Sequence, residues 1–148
     1  IATEADPDRF LAAVADGYRV SFGDASNMKL VEAVGGSNAR AVVLGYARYE
    51  ISREVTPTIT RRFPDLVRFV AVESRLDLER YLDLGVRAHF AAGQPKGIEM
   101  VADILLTLDV PEEDVREWME EEAERFSIGD ASDHDDDDDD PEIIEEAA

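Results

Sequence analysis

An alternation of short apolar runs with amphipathic segments constrains the fold of this chain more than any other feature. Residues 17–26 show the unit, with a short strand that ends at Phe22 and a Gly23-Asp24 turn that opens a helix. A continuous apolar run lies at residues 41–44, and further strand-like segments lie at residues 68–72 and 86–90. This order predicts an α/β protein with a Rossmann-like, mainly parallel sheet, flanking helices, right-handed crossovers and helices at the carboxyl end.

The run Ala41-Val42-Val43-Leu44 contains no polar residue. Continuous apolar runs are typical of parallel strands that are covered by helices on both faces, whereas half-exposed strands alternate apolar and polar residues. We therefore expect residues 41–44 to form a central strand that is buried on both faces.

Capping residues and prolines mark the helix boundaries. Asp6 followed by Pro7 predicts a helix with Asp6 as its N-cap. Residues 46–62 have a helical pattern but contain Pro57, and a proline inside a helix costs about 3 kcal/mol. Either that helix kinks at Pro57, or a new helix begins there with Thr56 as its N-cap. Gly93-Gln94-Pro95 predicts a turn.

The formal charge of −20 is spread unevenly over the 148 residues. Residues 130–148 contain eleven acids and no Lys or Arg, which leaves a net charge of −9 for the rest of the chain. Such a surface repels phosphodiester backbones and anionic lipids. We therefore expect neither nucleic acid binding nor docking onto an anionic membrane through a basic patch. The run Asp135–Asp140 lacks the spaced ligands and central glycine of a calcium loop, and we expect no metal site there.

The chain contains no cysteine and no apolar run that approaches the roughly 20 residues of a membrane-spanning helix. A cytoplasmic location is the default expectation. We expect a regulatory domain at residues 1–95, a helical segment at 96–128 and a disordered acidic tail at 129–148.

The order of several short segments resembles the nucleotide-binding regulatory domain of potassium transport systems, the Trk-type N-terminal domain, also called RCK or KTN. Within this group the sequence is most similar to the cytoplasmic domain of Kef-type potassium/proton antiporters. The resemblance covers roughly residues 1–126. The segments that carry it are residues 4–8, 17–20, 22–26, 62–66 and 84–86.

This resemblance implies a Rossmann fold in which Ile1 begins the second strand. The chain does not begin with Met, and Ile1-Ala2-Thr3 has the pattern of a strand in progress. No G-x-G-x-x-G occurs in the sequence. We therefore expect that the first strand and the glycine-rich loop of the family are missing from these 148 residues.

The resemblance also implies the site residues. Glu4 falls at the family's acidic position, where a carboxylate accepts hydrogen bonds from ribose hydroxyls. Asp24 and Ala25 fall where the third strand of the family ends near the adenine. Asp6 lies in the same turn as Glu4 and completes the set of candidate binding residues, although an Asp before Pro also predicts a helix cap.

The function implied is regulatory and not enzymatic. NAD(H), AMP or ATP is the expected ligand, and a homodimer attached to a membrane transporter domain at the cytoplasmic face is the expected assembly. Ligand binding would then bias the arrangement of two such domains and gate transport.

Two other classes of protein share parts of this pattern. A receiver-like signalling domain would need a phosphorylatable Asp after the central strand, and Gly45-Tyr46 stand there instead. A fragment of an NAD-dependent oxidoreductase would need acid–base groups and a substrate domain, and neither His89 nor His134 has an obvious acid partner in the sequence.

Overall fold

The computed structural model describes residues 1–45, 47–90 and 97–132, with side chains described up to residue 126. The turn expected at residues 93–95, Tyr46 at the start of a predicted helix, and residues 133–148 of the predicted tail lie outside the described residues. In the described ranges, no helix combines the length and the hydropathy that crossing a membrane requires.

Strands and helices alternate along the chain, as the sequence predicts. The strands are β1 (Ala2–Glu4), β2 (Val20–Phe22), β3 (Ala41–Leu44), β4 (Val67–Val72) and β5 (Arg87–Phe90). The helices are α1 (Pro7–Ala15), α2 (Met28–Ala33), α3 (Tyr49–Arg62), α4 (Arg75–Asp83), α5 (Ile98–Thr107) and α6 (Glu112–Ser132), and a short 3-10 turn lies at Gly36–Asn38.

All strand pairing in the described residues is parallel, which confirms the predicted α/β class. The strands form two sheets and not one: β1 pairs with β2, and β3, β4 and β5 pair in that order. Ala2 lies opposite Val20 in the first sheet, and Ala41 lies opposite Val67 in the second. Among the described residues, β1 and β3 therefore each pair with a neighbour on one edge only.

The prediction that residues 41–44 form a strand buried on both faces is wrong. Residues 41–44 do form β3, but none of them is buried, and Val43 is 46% exposed. The physical reason is that β3 pairs only with β4 in the described part of the chain, so that it is an edge strand. The strand buried most completely is β4, in which Phe69 and Val70 are 0% exposed.

Pro57 lies inside one continuous helix. Thr56 does not act as the N-cap of a new helix, because its hydroxyl donates to the Ser52 carbonyl at 2.6 Å. The same hydroxyl accepts from a guanidinium nitrogen of Arg68 at 2.6 Å, and Arg68 also donates to the Leu84 carbonyl at 2.8 Å. Arg68 is buried, and desolvation lowers its pKa. These bonds tie β4 to α3 and to the turn after α4.

Helix α6 continues to Ser132, which is four residues into the predicted tail. The predicted bounds of the domains otherwise remain predictions.

The main core lies between β4, α4 and β5. Val70, Val72, Tyr81 and Val86 form its centre. The Tyr81 ring packs edge-on against the Tyr49 ring with 5.7 Å between centroids. Apolar burial of this kind stabilises the fold by roughly 25 cal/mol per Å² of surface removed from water.

Tyr81→Phe is expected to keep or raise stability. The Tyr81 hydroxyl is buried and has no hydrogen-bond partner among the described residues. An unpaired buried polar group costs about 1–3 kcal/mol, so its removal should increase the free energy of unfolding by up to about 1 kcal/mol. Urea denaturation measures this change, and a loss of more than about 1 kcal/mol would show that the hydroxyl is bonded.

Candidate functional site

The carboxyl ends of β1, β2 and β3 border a cavity of about 460 Å³. Open α/β sheets bind ligands at this end of their strands, because loops and helix N-termini converge there. The polar and small residues from this end that line the cavity are Glu4, Arg9, Asp24, Ala25, Ser26, Gly45 and Arg48.

Glu4 is the last residue of β1 and is half-buried. Its Oε1 accepts a hydrogen bond of 2.8 Å from the backbone amide of Asp6. This bond holds the carboxylate at the rim of the cavity. Among the described residues, the structure gives no partner to Oε2, so this oxygen is available to a ligand hydroxyl.

Asp6 caps α1. Its Oδ1 accepts from the backbone amides of Asp8 and Arg9, both at 3.0 Å. The N-cap that the sequence predicts is therefore present. Asp6 is not among the residues that line the cavity, and a binding role for it remains a prediction.

The turn after β2 needs a glycine. Gly23 has a φ of +145°, and a Cβ placed there would come within 2.7 Å of the Leu30 side chain. The amide of Gly23 also donates to the Glu4 carbonyl at 2.9 Å. Through this bond the turn is joined to the end of β1, which places Asp24 and Ala25 on the same cavity as Glu4.

Asp24 is an exposed carboxylate that its own turn stabilises. Its Oδ1 accepts from the Ser26 amide at 2.8 Å. This backbone bond is the main reason why the pKa of Asp24 lies below 3.8. The Ser26 hydroxyl and the charge of Arg48 also lower the pKa, whereas slight burial raises it. Asp24 is thus an ionised acceptor throughout the physiological pH range.

An NMR titration of the Asp24 carboxyl carbon is expected to give a midpoint below 3.8 in the folded protein. Because the folded pKa is depressed, the stabilisation from Asp24 is complete above the pKa of the unfolded chain and is lost as pH falls through the folded pKa.

Ser26→Ala serves as the partial control for this titration. It should move the midpoint upward only in part, because the backbone amide remains. A native midpoint at or above 3.8 would contradict the hydrogen-bonded turn.

Three arginines line the cavity. Arg68 is bonded to Thr56 and to the Leu84 carbonyl, whereas Arg9 and Arg48 lie at the starts of helices and were not foreseen from the sequence as site residues. Arg9 lies in the first turn of α1, and Arg48 is the N-cap residue of α3. Cations are unfavourable at a helix N-terminus, because the helix macrodipole attracts anions there. A basic residue at the start of a helix is therefore a signal from which a binding role for Arg9 and Arg48 could have been predicted. The Arg48 side chain makes no capping bond to α3.

The cavity therefore joins two kinds of group. Glu4 and Asp24 supply acceptors for hydroxyl or amino groups, while Arg9 and Arg48 supply donors for an anion. The N-terminus of α3 adds a positive partial charge at the same edge. Acceptors for hydroxyls beside donors for an anion are what a nucleotide requires.

The expectation that His89 lacks an acid partner is wrong. His89 Nε2 lies 3.1 Å from Oδ2 of Asp103 on α5, and Arg87 donates to the other oxygen at 2.6 Å. Arg87 also donates to the Thr107 hydroxyl at 2.9 Å. This cluster fastens α5 to β5 and does not line the cavity. His134 lies outside the described residues.

Within the ranges that the structure describes, no group of three or more His, Asp and Glu side chains is placed to hold a metal ion. The candidate site therefore consists of charged side chains, backbone amides and the apolar wall of the cavity.

Comparison with known proteins relates residues 1–91 to a family model described as the TrkA-N domain. A solved structure described as the Kef CTD of Shewanella denitrificans in AMP bound form is also similar to this chain. The two are 20% identical, the match covers 89% of this chain and 93% of that chain, and the TM-score is 0.46.

Proposed function

Because the chain belongs to the TrkA-N domain family, we propose that it is a nucleotide-sensing regulatory domain of a potassium transport or antiport system. The observation that supports this proposal most strongly is that Glu4, Asp24, Arg9 and Arg48 line one cavity, at the carboxyl ends of parallel strands. The expected place of action is the cytoplasmic face of the membrane, beside a transporter domain.

The proposed ligand is an adenine nucleotide: NAD(H), AMP or ATP. The free oxygen of Glu4 accepts from ribose hydroxyls, and the Asp24-Ala25 turn lies against the adenine. Arg9 and Arg48 balance the phosphate charge. Carboxylates as hydroxyl acceptors and guanidinium groups as phosphate donors are common in nucleotide sites.

The proposed role is binding and not catalysis. A ligand shifts a conformational equilibrium only if its affinity for the two states differs. The nucleotide would therefore favour one arrangement of a pair of these domains, and a homodimer would transmit that preference to the transporter as a rigid-body movement.

Thermal unfolding with and without AMP, ATP, NAD⁺ or NADH tests this function. A ligand present at 100 times its Kd stabilises the folded state by about 2.7 kcal/mol, which raises the Tm by several degrees. Guanosine nucleotides are the control for general phosphate binding. The proposal fails if none of the four adenine ligands raises the Tm, including in a form that also carries the strand and glycine-rich loop expected before Ile1.

A further inference from the structure

An apolar stripe runs along α6 and becomes more exposed toward its end. Val115, near the start of the helix, is 4% exposed. Trp118 and Met119 are half-buried, and Phe126 is 47% exposed. The spacing of these four residues places their side chains on one face of a helix, which we call the α6 stripe. The α6 stripe therefore begins buried and ends at the surface.

The exposure of Phe126 follows from the lengths of two helices. α6 packs against α5, and only residues 108–111 separate them. Helices joined by such a short connection lie side by side and antiparallel. α5 has 10 residues and α6 has 21, which correspond to lengths of about 15 Å and about 30 Å. The second half of α6, which contains Phe126, therefore extends past the helix on which α6 packs.

The surface beside the α6 stripe is strongly acidic. Residues 112–126 contain eight acids and two arginines, which gives this part of α6 a net charge of −6. Arg125 already donates to Glu122 at 2.5 Å and lies 3.6 Å from Glu121. Glu121 and Glu122 follow Trp118 by three and four residues, so these two acids border the α6 stripe.

This charge decides which kind of occupant fits the α6 stripe. Two copies of α6 that met through the stripe would bring two net charges of −6 together, and like charges across an interface weaken binding. A helix with Lys and Arg beside its own apolar face has the complementary charge. Amphipathic helices bind apolar surfaces through side chains at such helical spacings, so this partner could cover Trp118 and Phe126 while its cations face the acids.

We propose that the exposed half of the α6 stripe is the docking site of a Lys/Arg-rich amphipathic helix of the transporter, at the cytoplasmic end of a membrane-spanning segment. Cytoplasmic segments next to membrane-spanning helices carry an excess of Lys and Arg. The origin of the helix rests on the proposed function of this chain, whereas the surface and its charge do not. The contact joins the regulatory domain to the protein that it regulates.

Titration with a synthetic amphipathic helix of Leu and Lys tests the docking site. Trp118 is the one tryptophan of the chain, so the fluorescence of the protein reports on the α6 stripe. Docking should remove the indole from water and shift its emission to shorter wavelength. The same peptide with Glu in place of Lys is the charge control and should not bind, because its charge has the same sign as that of α6.

Single substitutions locate the binding surface. Phe126→Ala should weaken binding of the Leu/Lys peptide by about 10-fold or more, because the loss of an aromatic anchor removes a large share of the binding energy. Leu82→Ala is the matched control, since Leu82 is 53% exposed on α4. Glu121→Lys should also weaken binding, and Glu79→Lys on the exposed face of α4 should have a much smaller effect.

Sedimentation with vesicles tests the origin of the helix. Phosphatidylcholine vesicles that carry the Leu/Lys helix directly after a membrane-spanning peptide should sediment the unaltered protein and should not sediment Phe126→Ala. Vesicles with the membrane-spanning peptide alone are the control. Failure of the first vesicles to sediment the unaltered protein would contradict docking at the membrane face.

Equal affinity of the unaltered protein and Phe126→Ala for the Leu/Lys peptide would overturn the proposal, because the acids at residues 130–148 would then explain the binding. Self-association of the chain that Phe126→Ala abolishes would overturn it as well, since a second copy would be the occupant. A protein that binds AMP but not the peptide would contradict the docking site and leave the nucleotide-sensing role standing.

Discussion

Glu4→Gln is expected to weaken AMP binding by about 10- to 100-fold, because hydrogen bonds to a charged acceptor contribute about 1.5–3 kcal/mol. Glutamine has the same size and keeps one oxygen for the Asp6 amide, which Glu4 now accepts at 2.8 Å. It replaces the second oxygen with a donor, which cannot accept from a ribose hydroxyl. The loss should therefore appear in affinity while the fold is retained.

Isothermal titration calorimetry with AMP measures this loss. Glu79→Gln is the matched control, since it makes the same change of charge on the exposed face of α4, away from the cavity. The control should bind AMP as the unaltered protein does. Equal affinity in the two variants would remove Glu4 from the binding site.

Phe69→Ala is expected to lower the free energy of unfolding by about 3–5 kcal/mol. Phe69 is 0% exposed in the middle strand of the three-stranded sheet. Its ring stacks with His89 at 6.4 Å between centroids, and the Arg87 guanidinium lies 5.6 Å from it. Alanine leaves a cavity at this place and removes the surface on which the β5–α5 cluster rests.

Urea denaturation followed by circular dichroism measures the effect. Phe126→Ala makes the same substitution on α6, where Phe126 is 47% exposed, and it should change stability by no more than about 0.5 kcal/mol. A similar cost at both positions would mean that β4 is not the centre of the core.

The sequence was sufficient to predict the elements because their signals are local. The apolar run at residues 41–44 and the Asp6-Pro7 cap depend on neighbours within one turn or one strand, and both elements are present. The burial of β3 was predicted wrongly because burial depends on which strands become neighbours. That choice is made by contacts between distant parts of the chain, and it leaves Val43 at an open edge.

The residues of the candidate site could likewise be predicted only in part from the sequence. Glu4, Asp24 and Ala25 were predicted from the resemblance to the family, and all three line one cavity at the carboxyl ends of parallel strands. Arg48 was missed because its place on the cavity depends on how α3 packs.

The partner of His89 was missed for a related reason. Asp103 lies fourteen residues farther along the chain, on a helix that returns to the sheet. A local sequence pattern does not show that α5 packs next to β5.

Chemical-shift mapping with AMP reports where the ligand binds as well as whether it binds. The largest amide shifts are expected at Glu4, at residues 23–26 and at Arg48, and the amides of β5 and α5 are expected to move little. Saturating AMP that shifts no amide, or that shifts the β5–α5 surface and leaves residues 4 and 23–26 unchanged, would contradict the proposed site.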